Sequence, residues 1–148
     1  MHRPVVTSLL WMLALVSAPL GGAPQAAKTV IVPSNVEWTD THITVTRGQS
    51  LRFESYGEIR LSFNRDDTAG PSGSNHDRFA DKAPLPMTPA GALIGRVNSG
   101  KPFPIGATTE ALQMPAAGTL FLSVNDDHAA DNSGNFVVKI WTANTPIR

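Results

Sequence analysis

The chain has 148 residues, with 12 Lys and Arg against 12 Asp and Glu and only 16% charged residues, so no strong pull towards nucleic acid or an anionic membrane is written into it. A hydrophobic share of 41% argues against a disordered polymer, and 12 Gly with 12 Pro point to many turns. There is no cysteine, which excludes disulfides, zinc knuckles, thiol nucleophiles, iron–sulfur clusters and a lipidated amino-terminal cysteine.

Residues 1–26 read as a secretory signal peptide. Arg3 gives a positive start, Leu9 to Val16 form the centre of an apolar run, and Gly21, Gly22, Ala23, Ala26 and Ala27 supply the small residues around a cleavage point between positions 22 and 27. Pro4 and Pro19 bracket a run shorter than the roughly 20 apolar residues that span a bilayer. No second apolar segment follows, so residues 27–148 are expected to form one secreted or periplasmic domain without membrane insertion.

The remainder reads as β almost throughout. Thr29 to Val32 is a β-branched run, and Thr41 to Thr46 alternates apolar with polar, with Arg47-Gly48-Gln49 as the turn. Leu51 and Phe53 share a face of the next strand. After a break at Gly57, Ile59, Leu61 and Phe63 alternate again. Later strands are predicted at Ala92 to Val97, Pro102 to Ile105, Thr119 to Asn125 and Asn135 to Thr142, with Asn98 to Lys101 as a hairpin turn. No segment keeps a helical period. Seven or eight antiparallel strands at this spacing predict an all-β, single-domain β-sandwich.

Asn64 to Ala90 interrupts the rhythm with Asp, Gly, Asn and His, followed by Pro84, Pro86 and Pro89. A loop longer than about 15 residues in a compact domain is functional or disordered, and the sequence leaves both readings open. Trp38 and Trp141 read as covers for the ends of the core, with a sugar-stacking platform as the alternative.

The densest chemistry lies in Asn125-Asp126-Asp127-His128-Ala129-Ala130-Asp131-Asn132-Ser133-Gly134, between two alternating strands. Asp126, Asp131 and Asn132 can converge on one point across such a loop, and Ca²⁺ takes 6–8 oxygens from carboxylates, amides, carbonyls and water. The same residue types also make ordinary turns. An EF-hand does not explain the loop: Asp131, Ser133 and Gly134 at positions three, five and six would put Ala129 at position one and Ile140 at position twelve, where a bidentate acid is required.

Enzyme readings find little support. Gly70-Pro71-Ser72-Gly73-Ser74 is not a nucleophile elbow, and there is no phosphate-cradling Gly loop. His42 falls in a strand pattern and reads as structural. His76 and His128 sit in polar loops at no metal-chelating spacing, and a base formed with Asp77 or Asp127 is conceivable but demanded by nothing.

Several ordered pieces resemble bacterial PA-I galactophilic lectin-like domains. They are Trp38-Thr39-Asp40-Thr41 with Ile43, Val45, Gly48-Gln49 and Gly57, then Ala69-Gly70-Pro71-Ser72-Gly73. Leu85-Pro86 with Gly91 to Val97, Leu122 to Asp126, and Asp131 to Phe136 complete a set that covers essentially the whole mature chain. The resemblance implies a jelly-roll sandwich holding one Ca²⁺, with sugar hydroxyls completing the metal shell. It assigns Asp126 to metal and sugar together. It matches Asp131 and Asn132 to tandem amides, with Asp replacing the first, and calls for a loop carbonyl from His128 or Ala129 and a further carbonyl from Leu61 or a neighbour.

Two departures accompany the match. The acidic loop is two residues shorter than in the galactose-binding prototype. Where that prototype carries a His and a Gln against the sugar, this chain has Asn75, His76 and Asp77 with no Gln at the matching distance. The expected sugar contacts are Asp126, Asp127, Asp131, His76 and Asp77, for a galactose-type or other hexose. The resulting expectation is a non-catalytic, calcium-dependent carbohydrate-binding protein, possible as a homo-oligomer. The alternative is a structural or interaction sandwich that has lost sugar binding, and a small periplasmic hydrolase stands third.

Overall fold

The structure is a computed structural model that describes residues 27–143; the signal segment expected over residues 1–26 lies outside the described residues. The chain forms strands β1 (Lys28–Pro33), β2 (Thr39–Val45), β3 (Ser50–Tyr56), β4 (Ile59–Arg60), β5 (Thr68–Gly70) and β6 (Gly73–Ser74). These are followed by β7 (Leu93–Val97), β8 (Phe103–Pro104), β9 (Leu112–Gln113), β10 (Gly118–Val124) and β11 (Asn135–Thr142). No helix among the described residues is long and apolar enough to cross a membrane.

Two antiparallel four-stranded sheets, ordered β1-β11-β3-β9 and β2-β10-β7-β8, make the sandwich expected from the alternation, of the jelly-roll-like kind that the resemblance implies. The chain switches repeatedly from one sheet to the other, so neither sheet is a contiguous piece of sequence. A third small sheet, β4-β5-β6, stands beside them.

Alternation explains the core. In the first sheet Val30 pairs with Val138, Val32 with Phe136 and Ile140 with Phe53, and all six are buried. In the second, Leu120 pairs with Val97 and Val124 with Leu93, with Leu122 between them. With a side-chain period of two, each strand turns every second residue into the space between the sheets.

The structure corrects one local expectation and sharpens three others. The alternation of Ile59, Leu61 and Phe63 does not continue as a strand: β4 ends at Arg60, Leu61 is buried, and Phe63 is 87% exposed. The Asn64–Ala90 stretch is not bare loop, since β5 and β6 lie within it. His42 lies in a strand, as its pattern predicts, but at an irregularity of β2. The β2–β10 register jumps between Leu120 and Phe121, His42 takes φ +54, and its backbone N–H and ring turn to Asp40. Trp38 and Trp141 are half-buried, and Trp38 carries the Arg96 guanidinium 4.2 Å from its ring centroid.

Candidate functional site

β10 runs apolar-inward through Leu120, Leu122 and Val124, then delivers Asn125 into a fully buried position. Its side chain makes four hydrogen bonds to the proline-rich segment, the longest from Nδ2 to the Pro89 carbonyl at 3.3 Å. Oδ1 accepts the Leu85 N–H at 2.9 Å, while Nδ2 donates to the carbonyls of Leu85 and Thr88, each at 2.9 Å. Its backbone exchanges bonds with the Gly91 N–H and the Ala92 carbonyl, each 2.8 Å. The Pro84–Pro89 segment is therefore fastened to the root of the acidic loop, a structured excursion rather than a solvated one.

Beyond Asp127 the loop closes through a short 3-10 turn, Ala129–Asp131. The Asp131 N–H donates to the His128 carbonyl at 3.5 Å, and the Asn132 N–H to the Ala129 carbonyl at 3.2 Å. Both carbonyls proposed as ligands thus carry one internal bond and keep one lone pair each.

Asn132 is buried, 6% exposed, and its Nδ2 donates to the Ser34 carbonyl at 3.1 Å. A carbonyl only accepts, so this bond fixes the amide nitrogen on Ser34 and turns Oδ1 the other way. Ser34 is anchored in turn, with its N–H and Oγ both donating to the Gly134 carbonyl at 3.0 and 2.9 Å. Gly134 has φ +90, and a Cβ there would stand 3.1 Å from the Glu58 carbonyl, so a glycine is required.

The loop is also stitched to β4. The Arg60 N–H donates to the Ser133 carbonyl at 2.9 Å and the Ser133 N–H to the Arg60 carbonyl at 3.0 Å. Extending that register sets Leu61 opposite Asn132. Leu61 donates its N–H to the Asp67 carbonyl at 2.8 Å, but the Asp67 N–H goes to the Asn64 carbonyl instead of returning to Leu61.

Three oxygens in this loop are buried and accept no hydrogen bond from the described residues: Asp126 Oδ2, Asp131 Oδ1 and Asn132 Oδ1. One belongs to each side chain picked out as a metal ligand. An oxygen removed from water without a donor costs about 1–3 kcal/mol, so three on one short loop call for a physical cause. All three are hard oxygen acceptors, the chemistry of a Ca²⁺ shell. Among the described residues no three His, Cys, Asp or Glu side chains gather as a metal group; the set is two carboxylates and an amide.

Burial pushes the Asp126 carboxyl above its ordinary value. The Asn132 side chain and the Asp127 N–H, which donates to Asp126 Oδ1 at 2.9 Å, pull it back. The Asp127 charge raises it further, and the Arg78 charge lowers it. Asp127 itself is exposed, so the two adjacent acids have different environments.

Arg78 is the residue that the sequence did not single out. Its Nη2 lies 3.1 Å from Asp67 Oδ2, which also accepts the Ser62 hydroxyl at 2.9 Å, and its charge reaches Asp126. His76 is held by a backbone carbonyl of its own segment. Its Nε2 is 2.9 Å from the Asp66 carbonyl, and it lines a depression with Asn64, Asp66 and Asp67 rather than the crevice beside Asp126. Asp77 is exposed in a left-handed conformation, φ +53, with its N–H on the Ser74 carbonyl at 3.3 Å.

The crevice that Asp126 and Asp127 do line has a volume of about 340 Å³, and its other walls include Glu37, Trp38, Lys82 and Pro84. No periodicity or spacing connects those four residues to the acidic loop. Tertiary contacts do, through the Ser123 hydroxyl on the Glu37 carbonyl and the Asn125 amide on Leu85.

Comparison with solved structures finds the EclA N-terminal domain, a PllA-like lectin, with a TM-score of 0.63 and 23% sequence identity, over 78% of this chain and 95% of that one. A scan against protein-family models and a search of curated proteins found no match. The chain is thus similar in fold to a PllA-like lectin domain, in line with the resemblance carried by the residues around Asp126 and Asn132.

Proposed function

We propose that this is an exported, calcium-dependent carbohydrate-binding protein that acts without turnover. The observation that carries the reading is the trio of buried, unpaired oxygens on Asp126, Asp131 and Asn132. The lectin fold supports the sugar half of it.

Asp126, Asp131 and Asn132 would hold the cation, with carbonyls of His128 or Ala129 and of Leu61 completing the protein's share. Bound Ca²⁺ supplies coordination positions that vicinal sugar hydroxyls take in place of water. The chain's own residues do the rest. Ser34 fixes which atom of Asn132 faces the site, and Asn125 fixes where the loop begins. Asp126, Asp127 and Asp131 accept hydrogen bonds from hydroxyls. Selectivity belongs to the segment carrying His76, Asp77 and Arg78, because Arg78 is the member whose charge reaches Asp126.

Calcium titration by calorimetry, followed by a glycan array in saturating Ca²⁺ and in EDTA, tests this reading. Calcium-dependent retention of a saccharide class is expected. Calcium binding with no glycan retained would leave the structural sandwich as the function, and no calcium binding would remove the metal.

A further inference from the structure

The crevice next to Asp126 contains a second set of groups that the metal reading does not use. Trp38 presents an indole there, Glu37 and Asp127 offer carboxylates, Lys82 offers an ammonium, and Pro84 adds an apolar wall. A flat apolar ring beside a few polar groups is the usual make-up of a small-ligand site, and about 340 Å³ lies within the range of such sites.

The ring is held in place before any ligand arrives. Arg96 lies over Trp38 at 4.2 Å from the ring centroid and over Phe121 at 5.6 Å, so its guanidinium is fixed between two aromatic side chains. Glu37 is fixed through its backbone: the buried Ser123 donates its hydroxyl to the Glu37 carbonyl. The opposite wall is equally set, since Lys82 and Pro84 lead into Leu85, which Asn125 fastens. Preorganised walls lower the ordering cost that weakens shallow sites.

We propose that this crevice is a second saccharide subsite, taking an uncharged sugar unit joined to the one held at Asp126. The proposal rests on the sugar-binding reading above. A pyranose has an apolar C–H face to lay against the indole and hydroxyls at its rim for Glu37, Asp127 and Lys82. The unit is uncharged because, with Asp126 engaged by the cation, Glu37 and Asp127 still outnumber Lys82 among the lining groups and disfavour a uronic or sialic carboxylate. The occupant is thus a neutral disaccharide or a longer neutral glycan terminus.

The test is titration calorimetry on the calcium-loaded protein, with three matched pairs of probes: methyl α-galactoside and melibiose, methyl β-galactoside and lactose, methyl α-mannoside and α-mannobiose. A digalacturonide serves as the anionic probe. At least one neutral disaccharide is expected to bind about tenfold tighter than its own monosaccharide, the gain of one stacked ring. The digalacturonide should show no such gain.

Trp38→Leu and Pro84→Trp, the first removing the ring and the second filling the crevice from an exposed position, should each abolish the gain. Both should leave calcium and monosaccharide binding unchanged. Pro84→Trp keeps the test valid if Trp38→Leu fails to fold. Equal affinities within every pair, or a gain that survives both variants, would overturn the subsite while monosaccharide binding still supported the lectin reading. Binding of no saccharide at all would overturn both.

Discussion

Leu85 and Asn125 exchange two hydrogen bonds of 2.9 Å, Leu85 N–H to Asn125 Oδ1 and Asn125 Nδ2 to the Leu85 carbonyl, across 40 residues of sequence. One buried amide thus does for the proline-rich segment what a neighbouring strand would do. It satisfies backbone groups that the segment's own Thr88 N–H to Leu85 carbonyl bond leaves over, in a stretch where prolines lack the N–H.

Asn125→Ala should therefore destabilise the fold out of proportion to its size. It strands the Leu85 N–H and the Thr88 carbonyl in the interior, while the Leu85 carbonyl keeps the Thr88 N–H at 3.0 Å. A loss of about 3 kcal/mol is expected in urea denaturation. Asn125→Asp should be nearly as harmful, since it replaces a donor with a charge among carbonyls. A loss below about 1 kcal/mol for either would show that the segment is held by other contacts.

Calcium should raise the thermal midpoint, because it binds the folded loop and not the unfolded chain. At a hundredfold excess over Kd the stabilisation is about 2.7 kcal/mol. Mg²⁺ should do much less, since its tight octahedral shell sheds water reluctantly. Identical melting curves in Ca²⁺ and EDTA would exclude calcium.

The pH dependence has a definite sign. In the calcium-free protein the Asp126 pKa is raised above 3.8, chiefly by burial. Its contribution to stability is therefore full below 3.8 and lost as pH rises through the raised value. Calcium needs the carboxylate, so acidification should weaken calcium binding before an ordinary aspartate would protonate. Calorimetry in buffers of different ionisation enthalpy should detect proton release on calcium binding in that range, and Asp126→Asn should abolish it. Calcium affinity that stays flat down to the ordinary aspartate range would contradict the assignment.

Asp126→Asn and Asp127→Asn should separate. The first replaces a half-buried carboxylate whose Oδ2 has no partner, and should cost both calcium and sugar binding at least tenfold. The second alters an exposed acid and should leave calcium affinity within about threefold. Equal losses would mean that the loop register is wrong.

Asn132→Asp removes the donor that binds the Ser34 carbonyl and adds a charge beside Asp126. The calcium-free variant should lose about 1–3 kcal/mol, and saturating Ca²⁺ should recover part of it. Failure of calcium to narrow the gap between variant and parent would place Asn132 outside the metal shell.

The sequence by itself determined the sandwich, because a period of two is a local property: Leu120, Leu122 and Val124, or Phe136, Val138 and Ile140, state their buried face without knowing their neighbours. It also marked Asp126, Asp131 and Asn132, since oxygen-rich residues crowded where a two-residue turn would suffice stand out in a linear reading. Local pattern failed where the chain leaves the lattice. Phe63 continued an apolar alternation that ended at Arg60 and became a surface residue. Only the tertiary structure decided that the oxygen and not the nitrogen of the Asn132 amide is left unpaired, because the deciding partner, Ser34, is 98 positions away and has no sequence signature. The same holds for Arg78 reaching Asp126, for His76 lying in a separate depression, and for Trp38 sharing a wall with Lys82. Burial, the cost of an unpaired oxygen and the placing of a charge are fixed by what packs around a residue, and in a sandwich whose chain alternates between sheets those neighbours come from distant sequence.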